Sequence, residues 1–392
     1  MSKYVGSFMF HPVGHGLFYS GTIKNLYTQN QYSFIYDCGG HTKNIVNLAI
    51  QNADLPEEID LLIISHFHAD HIKGVLELIK RKITIKTVVL PYLDQTSKIL
   101  YTAALADEKY DLQMSELDEL KKFIANPKEF FGDKTEVYFI SNDIEDAYSE
   151  RKNIEENSNQ KEEFDFDWKN CKPNKENKVP GNANYGSPIW SFHFFMPKRA
   201  CNFNELEDFF NKNGITCENA IDNWGNIKEE IVKLNLNNNT SNIVCAHGPT
   251  ENVFIEKICH NKFIPCKHCW GYECCRHYHY HHMHEINIGF QFLTGDAEID
   301  EKEQNAFLQK YSADLKKSIL FQVPHHGSKT NWKDWFSEYQ PLCNLWPVTH
   351  NANHKYRNGT FPSATFSYIA PYSVTDIETT KLGIQIHFFS KI

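Results

Sequence analysis

The sequence predicts a layered α/β fold, and three observations carry that expectation. Apolar runs of strand length, Leu61-Leu62-Ile63-Ile64 and 83–92, flank a stretch of helical spacing, Val75-Leu76-Glu77-Leu78-Ile79-Lys80. Strand, helix, strand alternation implies helices packed in layers on a sheet. Short apolar segments then recur along the chain between turns and polar loops. Finally, 392 residues that are 41% hydrophobic and 14% aromatic are ample for a large core. That excludes disorder throughout and suits one elaborated domain, 1–392, with insertions.

In order along the chain, 7–10, 12–19 and 32–36 read as strands, the last running into Asp37-Cys38-Gly39-Gly40, where glycines let the backbone turn tightly. His15 and His41 lie near the same sheet edge and, as lone histidines, read as structural. Residues 103–124 have helical spacing and 137–140 return as a strand. From 141 to 186 the composition shifts to Glu, Asn, Lys and Ser with few aliphatics, which reads as a polar loop insertion unable to fold alone. Residues 190–197 resume the sheet, with His193 alternating among aromatics as a buried residue. Residues 204–234 read as helical. Strand 243–246 should pair with 288–293, and between them stands a Cys/His-rich hairpin insertion, 248–287. Residues 318–324 form a further buried strand, and 383–389, with a structural His387, close the sheet.

The chemistry concentrates where strands end. Ser65-His66-Phe67-His68-Ala69-Asp70-His71 sets three imidazoles and a carboxylate directly after the apolar run 61–64. Neutral imidazole with carboxylate is an ordinary ligand set for zinc and its neighbours. His66 and His68, alternating along extended backbone, can serve one ion, and Asp70 and His71, after the bend, another. Downstream, Leu293-Thr294-Gly295-Asp296 ends a strand in a carboxylate able to bridge two ions, or to cap the acidic helix that follows. Val323-Pro324-His325-His326-Gly327-Ser328-Lys329 ends another strand in histidines. In the hairpin insertion, Cys266-Lys267-His268-Cys269 is a Cys-x-x-Cys knuckle. With Cys274 or Cys275 it can complete a structural zinc site, or the His-rich run only scavenges metal.

The 66–71 stretch resembles the His-x-His-x-Asp-His metal signature of the metallo-β-lactamase superfamily. The resemblance implies an α/β fold of the αββα four-layer sandwich type, two mixed sheets face to face with helices outside and the ligands at one rim. It implies metal ligands His66, His68, Asp70, His71, Asp296 and His326, with Asp296 bridging and Asp37 supporting the loop by hydrogen bonding. His325 is placed to ligate instead of His326 or to contact substrate. In most of the superfamily a third histidine for the first metal precedes the strand at 243. Here Asn238-Asn239-Thr240-Ser241 follows the Asn-x-x-Ser pattern of the branch containing the nuclease domain of competence DNA-uptake proteins, and His325-His326-Gly327-Ser328-Lys329-Thr330 resembles the same branch. His247, nearby, is not promoted to the missing ligand. By the same resemblance Asn239, Ser241, Ser328 and Lys329 contact substrate, and His350 and His354 transfer a proton to a leaving group.

The implied activity is metal-assisted hydrolysis with two divalent ions, Zn or Mn, about 3.5–4 Å apart, sharing a water that Asp70 orients. No serine or cysteine nucleophile with a matching base stands in the constellation, so a covalent intermediate is not required. The expected substrate is a phosphodiester in a short nucleic acid or a nucleotide. Hydrolysis of a lactone, thioester or amide is the second reading. A third is a metal-stabilised sensor whose insertions contact a protein partner and whose catalysis is vestigial. The net charge of −9 argues against a broad basic surface coating nucleic acid and leaves room for a local basic groove. No stretch has the length of a membrane span and the start lacks a charged-then-apolar signal, so a cytoplasmic protein is expected. Five of the eleven cysteines fall between Cys259 and Cys275, which suits thiolate metal binding in a reducing compartment.

Overall fold

The computed structural model describes residues 3–108, 111–144, 162–198, 203–234, 236, 241–250, 254–263, 279–286, 289–328, 331, 333–339, 346–349, 372–374 and 383–391. The strands are β1 (Tyr4–Phe10), β2 (Phe18–Asn25), β3 (Gln31–Cys38), β4 (Glu58–Ile63), β5 (Thr84–Pro91), β6 (Glu136–Ser141), β7 (Asp167–Trp168), β8 (Lys178–Pro180), β9 (Asn184–Gly186), β10 (Trp190–Phe195), β11 (Val244–Pro249), β12 (Phe254–Phe263), β13 (His279–Ile286), β14 (Phe290–Leu293), β15 (Ser318–Phe321), β16 (Pro347–Thr349), β17 (Tyr372–Val374) and β18 (Gly383–Lys391). The helices are α1 (Lys43–Asn52), α2 (Ala69–Ile72), α3 (Val75–Lys80), α4 (Gln95–Ala104), α5 (Met114–Ala125), α6 (Pro127–Phe131), α7 (Asn204–Asn213), α8 (Trp224–Lys233) and α9 (Glu301–Leu315).

A ten-stranded sheet runs β13-β12-β18-β1-β2-β3-β4-β5-β6-β8 and a six-stranded sheet runs β15-β14-β11-β10-β9-β7. Both are mixed: β1 to β3 pair antiparallel and β3 to β6 parallel, and in the second sheet only β14 and β15 run parallel. The apolar run after residue 60 is continuous because β4 is buried on both faces. Leu61 and Ile63 enter the core between the sheets, with Phe8, Phe34, Phe192, Phe194 and Leu293. Leu62 and Ile64 point the other way, onto Val46, Leu78, Leu120 and Phe123 of α1, α3 and α5. Each fully buried side chain of this size contributes about 1.5–3 kcal/mol. On the far side, α9 lays Phe307, Tyr311 and Leu315 on Phe195, Phe292 and Phe321 of the second sheet. Helix, sheet, sheet, helix is the order of layers, the αββα sandwich.

Two groups of polar contacts bind the sheets to each other. The Tyr36 hydroxyl, at the end of β3, donates to the Ile243 carbonyl at 2.6 Å and leans on that of Leu293 at 3.2 Å. Deeper, Tyr19 Oη donates to Gln291 at 2.8 Å and lies 3.1 Å from His247 Nε2. His247 is thus a core residue, wedged among Phe8, Phe34 and Phe192.

Four sequence expectations need correction. Residues 12–17 are a loop, not strand, because Gly14 and Gly16 adopt φ of 75° and 126° and β2 starts at Phe18. The helical stretch at 103–124 breaks between α4 and α5, where a capping box of Gln113 and Glu116 starts the second helix. The stretch at 204–234 breaks after α7, at Gly214 with φ 61°. The polar insertion, where it is described from 162, carries β7, β8 and β9, and Phe164, Phe166 and Trp168 pack on the core. Aromatics replace the aliphatics whose scarcity suggested a loop; Phe166 stacks on Tyr32 at 3.8 Å. Strand β11 pairs with β14 as expected, Cys245 opposite Leu293. The Cys/His-rich insertion between them leaves the second sheet, and its β12 and β13 pair antiparallel at the edge of the first, beside β18.

Candidate metal centre

Strands β3 and β4 are parallel neighbours whose carboxyl ends deliver Asp37 and the 65–71 loop to one rim. Close backbone approach there requires glycine. A Cβ on Gly39 would lie 2.5 Å from the Asp70 carbonyl and the His71 nitrogen, and one on Gly295 would lie 2.7 Å from Ser65. The Asp296 loop is thereby pressed onto the histidine loop, and the Ile243 nitrogen joins it by donating to the Ser65 carbonyl at 2.9 Å. Asp37, His325 and His326 hold left-handed φ of 53°, 47° and 53°. Such backbone persists where the surroundings impose it, typically at functional sites.

Two groups of ligand atoms result. Those of His66, His71 and Asp296 lie within 4.8 Å of one another, and so do those of His15, Asp70 and His326. Asp296 joins the groups: its Oδ1 is 3.3 Å from His71 Nε2 and 3.5 Å from His326 Nε2, while its Oδ2 is 3.5 Å from His66 Nε2. Asp70 Oδ2 lies 3.4 Å from His326 Nε2 and 3.7 Å from His15 Nε2. The division of ligands therefore differs from the one the alternation suggested. His71 stands with His66, and His68 Nδ1 lies 3.0 Å from His66 Nε2 without entering either triad. His15, expected to be structural, is carried by the Gly14-Gly16 loop against His326, the rings tilted with centroids 3.9 Å apart. The glycines flanking His15 were the available signal.

Supporting contacts fix which nitrogen each histidine turns inward. His71 Nδ1 is 2.8 Å from Asp37 Oδ2, and Asp37 also accepts from the Ser65 nitrogen and hydroxyl, each at 2.6 Å. With that hydroxyl proton committed, Ser65 Oγ accepts from His66 Nδ1 at 2.9 Å. His326 Nδ1 donates to the Thr349 carbonyl at 3.0 Å. Asn331 gives its amide protons to the carbonyls of Asp296 and Ala297, which turns its Oδ1 to His325 Nδ1 at 2.9 Å. In each case Nδ1 is tied and Nε2 faces the rim, the arrangement of a histidine built to ligate.

The donor set fits divalent cations. His71 Nε2, Asp296 Oδ1 and His326 Nε2 are buried, aimed into one space, and without a hydrogen-bond partner among the described residues. The electrostatics agree. Burial opposes ionisation of Asp70 and Asp296, but His71 and His326 outweigh it and hold both carboxyls well below the usual range. Burial also opposes a proton on His71, yet Asp296, Asp70 and Asp37 raise its pKa well above that of ordinary histidine. Burial, then His71, pushes His66 far down, and burial lowers His68. His15 falls to about 3 through burial and the neighbouring His326. The carboxylates that raise His71 are the negative charge that a divalent cation would balance.

Other sequence-predicted residues divide by position. His325, its side chain 43% exposed, stands at the mouth with Nε2 3.6 Å from Asp296. Ser241 is buried beside the rim, one residue before Asn242, whose amide donates to the Thr294 carbonyl at 3.3 Å. Ser328 donates its backbone nitrogen to the His325 carbonyl at 2.8 Å. The helix-cap reading of Asp296 is superseded, since Asp300 caps α9 by accepting from the nitrogens of Lys302 and Glu303. His193 is remote, paired at 2.6 Å with Asp314 of α9. Asn239, Lys329, His350, His354, Cys266, Cys269, Cys274 and Cys275 lie outside the described residues. No helix among the described residues is long and apolar enough to cross a membrane.

No curated protein matches the chain. Among solved structures, the crystal structure of the metallo-beta-lactamase fold protein YhfI from Bacillus subtilis aligns at 12% identity and a TM-score of 0.22, over 50% of this chain and 54% of that one. Residues 25–105, which carry β3, β4 and the whole 65–71 loop, match the family model described as the metallo-beta-lactamase superfamily.

Proposed function

We propose that the protein is a metal-dependent hydrolase acting on phosphodiesters, a phosphodiesterase or nuclease, working as a single domain in a reducing, cytoplasmic setting. The observation that supports it is the convergence of His15, His66, Asp70, His71, Asp296 and His326 from separate loops onto one rim. The phosphodiester reading leans on the Asn-x-x-Ser and His-His-Gly-Ser-Lys-Thr resemblance. Two divalent cations held there, Zn or Mn, would lower the pKa of a shared water and neutralise charge on the attacked phosphoryl group.

The chain's own residues supply the rest. His66, His71, Asp296, His15, Asp70 and His326 hold the cations, with His68 beside them. Asp70, 18% exposed, is the carboxylate that reaches toward solvent and orients the attacking water. His325 has Nδ1 committed to Asn331, so Nε2 keeps a lone pair at the mouth, where it can take or return a proton. Asn239, Ser241, Ser328 and Lys329 are kept from the same resemblance as the substrate contacts. His350 and His354 are kept as the proton donors to the leaving group, and Cys266, Cys269, Cys274 and Cys275 as ligands of a structural zinc.

The test is turnover by the Mn- or Zn-loaded chain of a generic phosphodiester, a single-stranded oligonucleotide and a lactone, beside an Asp70→Ala, His71→Ala control. Turnover of the first two, lost in the control, supports the proposal. Turnover of the lactone alone, or metal binding with no turnover, rejects it in favour of another hydrolase or a sensor.

A further inference from the structure

Behind the metal loop lies a cleft of about 230 Å³, lined by residues of β5, β6, β8, α4, α5 and α6. Phe67, the residue between His66 and His68, forms part of its wall and is itself buried against Tyr101 and Phe123. The cleft therefore opens beside the loop that carries the candidate ligands. Its lining holds three lysines, Lys98, Lys128 and Lys178, against one carboxylate, Glu176. In a chain of net charge −9 that is a local reversal of sign.

The way these lysines are held is informative. Lys98 Nζ donates to the Ala125 carbonyl at 2.7 Å, at the end of α5, and Lys128 Nζ to the Glu176 carbonyl at 3.1 Å. A carbonyl fixes an ammonium without neutralising it, and one bond leaves two of three protons for another acceptor. Lys178 pairs with Glu176 at 2.7 Å and sits 3.8 Å over the ring of Tyr92, which meets Phe139 edge-on at 6.4 Å. Glu176 is 67% exposed and Lys178 only 16%, so the neutralising partner is the more hydrated one.

We infer that this cleft binds a backbone phosphate of a single-stranded nucleic acid whose adjacent segment lies across the metal rim. The inference rests on the phosphodiester reading for the occupant's identity. The volume is below the roughly 300 Å³ at which pockets begin to enclose a whole ligand, so it suits one group of a longer molecule. Positive charge interleaved with aromatic rings is the chemistry that tracks a single strand without reading its sequence.

The experiment measures anisotropy of a short fluorescein-labelled single-stranded oligonucleotide on the full chain in chelator, where no cutting is needed. Lys128→Gln, Lys178→Gln together should weaken binding about tenfold and flatten the slope of log K against log salt by about 0.7, the share of one single-strand phosphate. The paired Lys→Arg substitutions should restore both, which separates charge from fold. Turnover of a small generic phosphodiester by the metal-loaded chain should be equal in all three proteins. Unchanged affinity and slope in the Gln variant overturn the inference, as does the absence of oligonucleotide binding by the native chain. Equal competition by an acidic peptide of matched charge, or by inorganic phosphate, overturns it too. Failure of the small phosphodiester to turn over, with lysine-dependent binding intact, sinks the hydrolase reading and leaves the cleft standing.

Discussion

Asp37 and His71 stand 34 positions apart, yet their side chains meet at 2.8 Å with neither exposed. The carboxylate fixes the imidazole so that its Nε2 points at Asp296. Asp37→Ala should weaken metal binding about 10–100-fold, the usual cost of losing such a support. Asp37→Asn, which keeps the volume, should lie between. Competition with a chromophoric chelator gives the affinities; native affinity in both variants would remove Asp37 from the site.

His15 provides a second check, because its flanking glycines announce a loop and not a ligand. Its place with Asp70 and His326 predicts that His15→Ala weakens one metal site at least tenfold and leaves the other within about twofold. Metal content by mass spectrometry after graded dialysis should fall from two ions toward one on the rim. An unchanged content would make His15 a packing partner of His326.

Metal binding should release protons. His71 keeps its proton at neutral pH, because three carboxylates outweigh burial and raise its pKa well above the ordinary value. A cation must displace that proton to reach Nε2, so affinity should rise with pH across the neutral range. In calorimetry, buffers of different ionisation enthalpy should give apparent binding enthalpies that differ in the sense of proton release. Zero release at pH 7 would contradict the placement of His71.

A core histidine sets a stability expectation. Burial depresses His247 to about 3, against 6.5 for the unfolded chain. The unfolded state binds the extra proton between those values, so this stability is present above about 6.5 and lost as pH falls toward 3. The slope is about 1.4 kcal/mol per pH unit inside that window. His247→Leu should reduce the slope of urea-unfolding stability between pH 6 and 4 by about that amount; an unchanged slope would show that His247 titrates normally.

Much of this was legible where one chemistry dominates a short stretch. A buried run ending in His-x-His-x-Asp-His, or in Gly-Asp, announces both a strand and what stands at its end. His15 was not legible: a histidine between glycines signals a loop, and only the crossing of that loop over Asp70 gives it a role. The same holds for 162–186, where Phe164, Phe166 and Trp168 replace the aliphatics that burial is usually counted by. Nor does a hairpin's position in sequence fix its sheet. The strands at 254–263 and 279–286 lie between two neighbours of one sheet and pair at the edge of the other.

The hydroxyl of Tyr36 reaches carbonyls at two strand termini of the opposite sheet, immediately behind the ligand loops. A phenol in that position acts as a clasp: the sandwich cannot gape at this end without stranding buried carbonyls, at roughly 1–3 kcal/mol for each one left unsatisfied. The spacing between ligands on β3–β4 and ligands after β14 is therefore a fixed gauge. Fitting substrates of different girth falls to the loops above the rim.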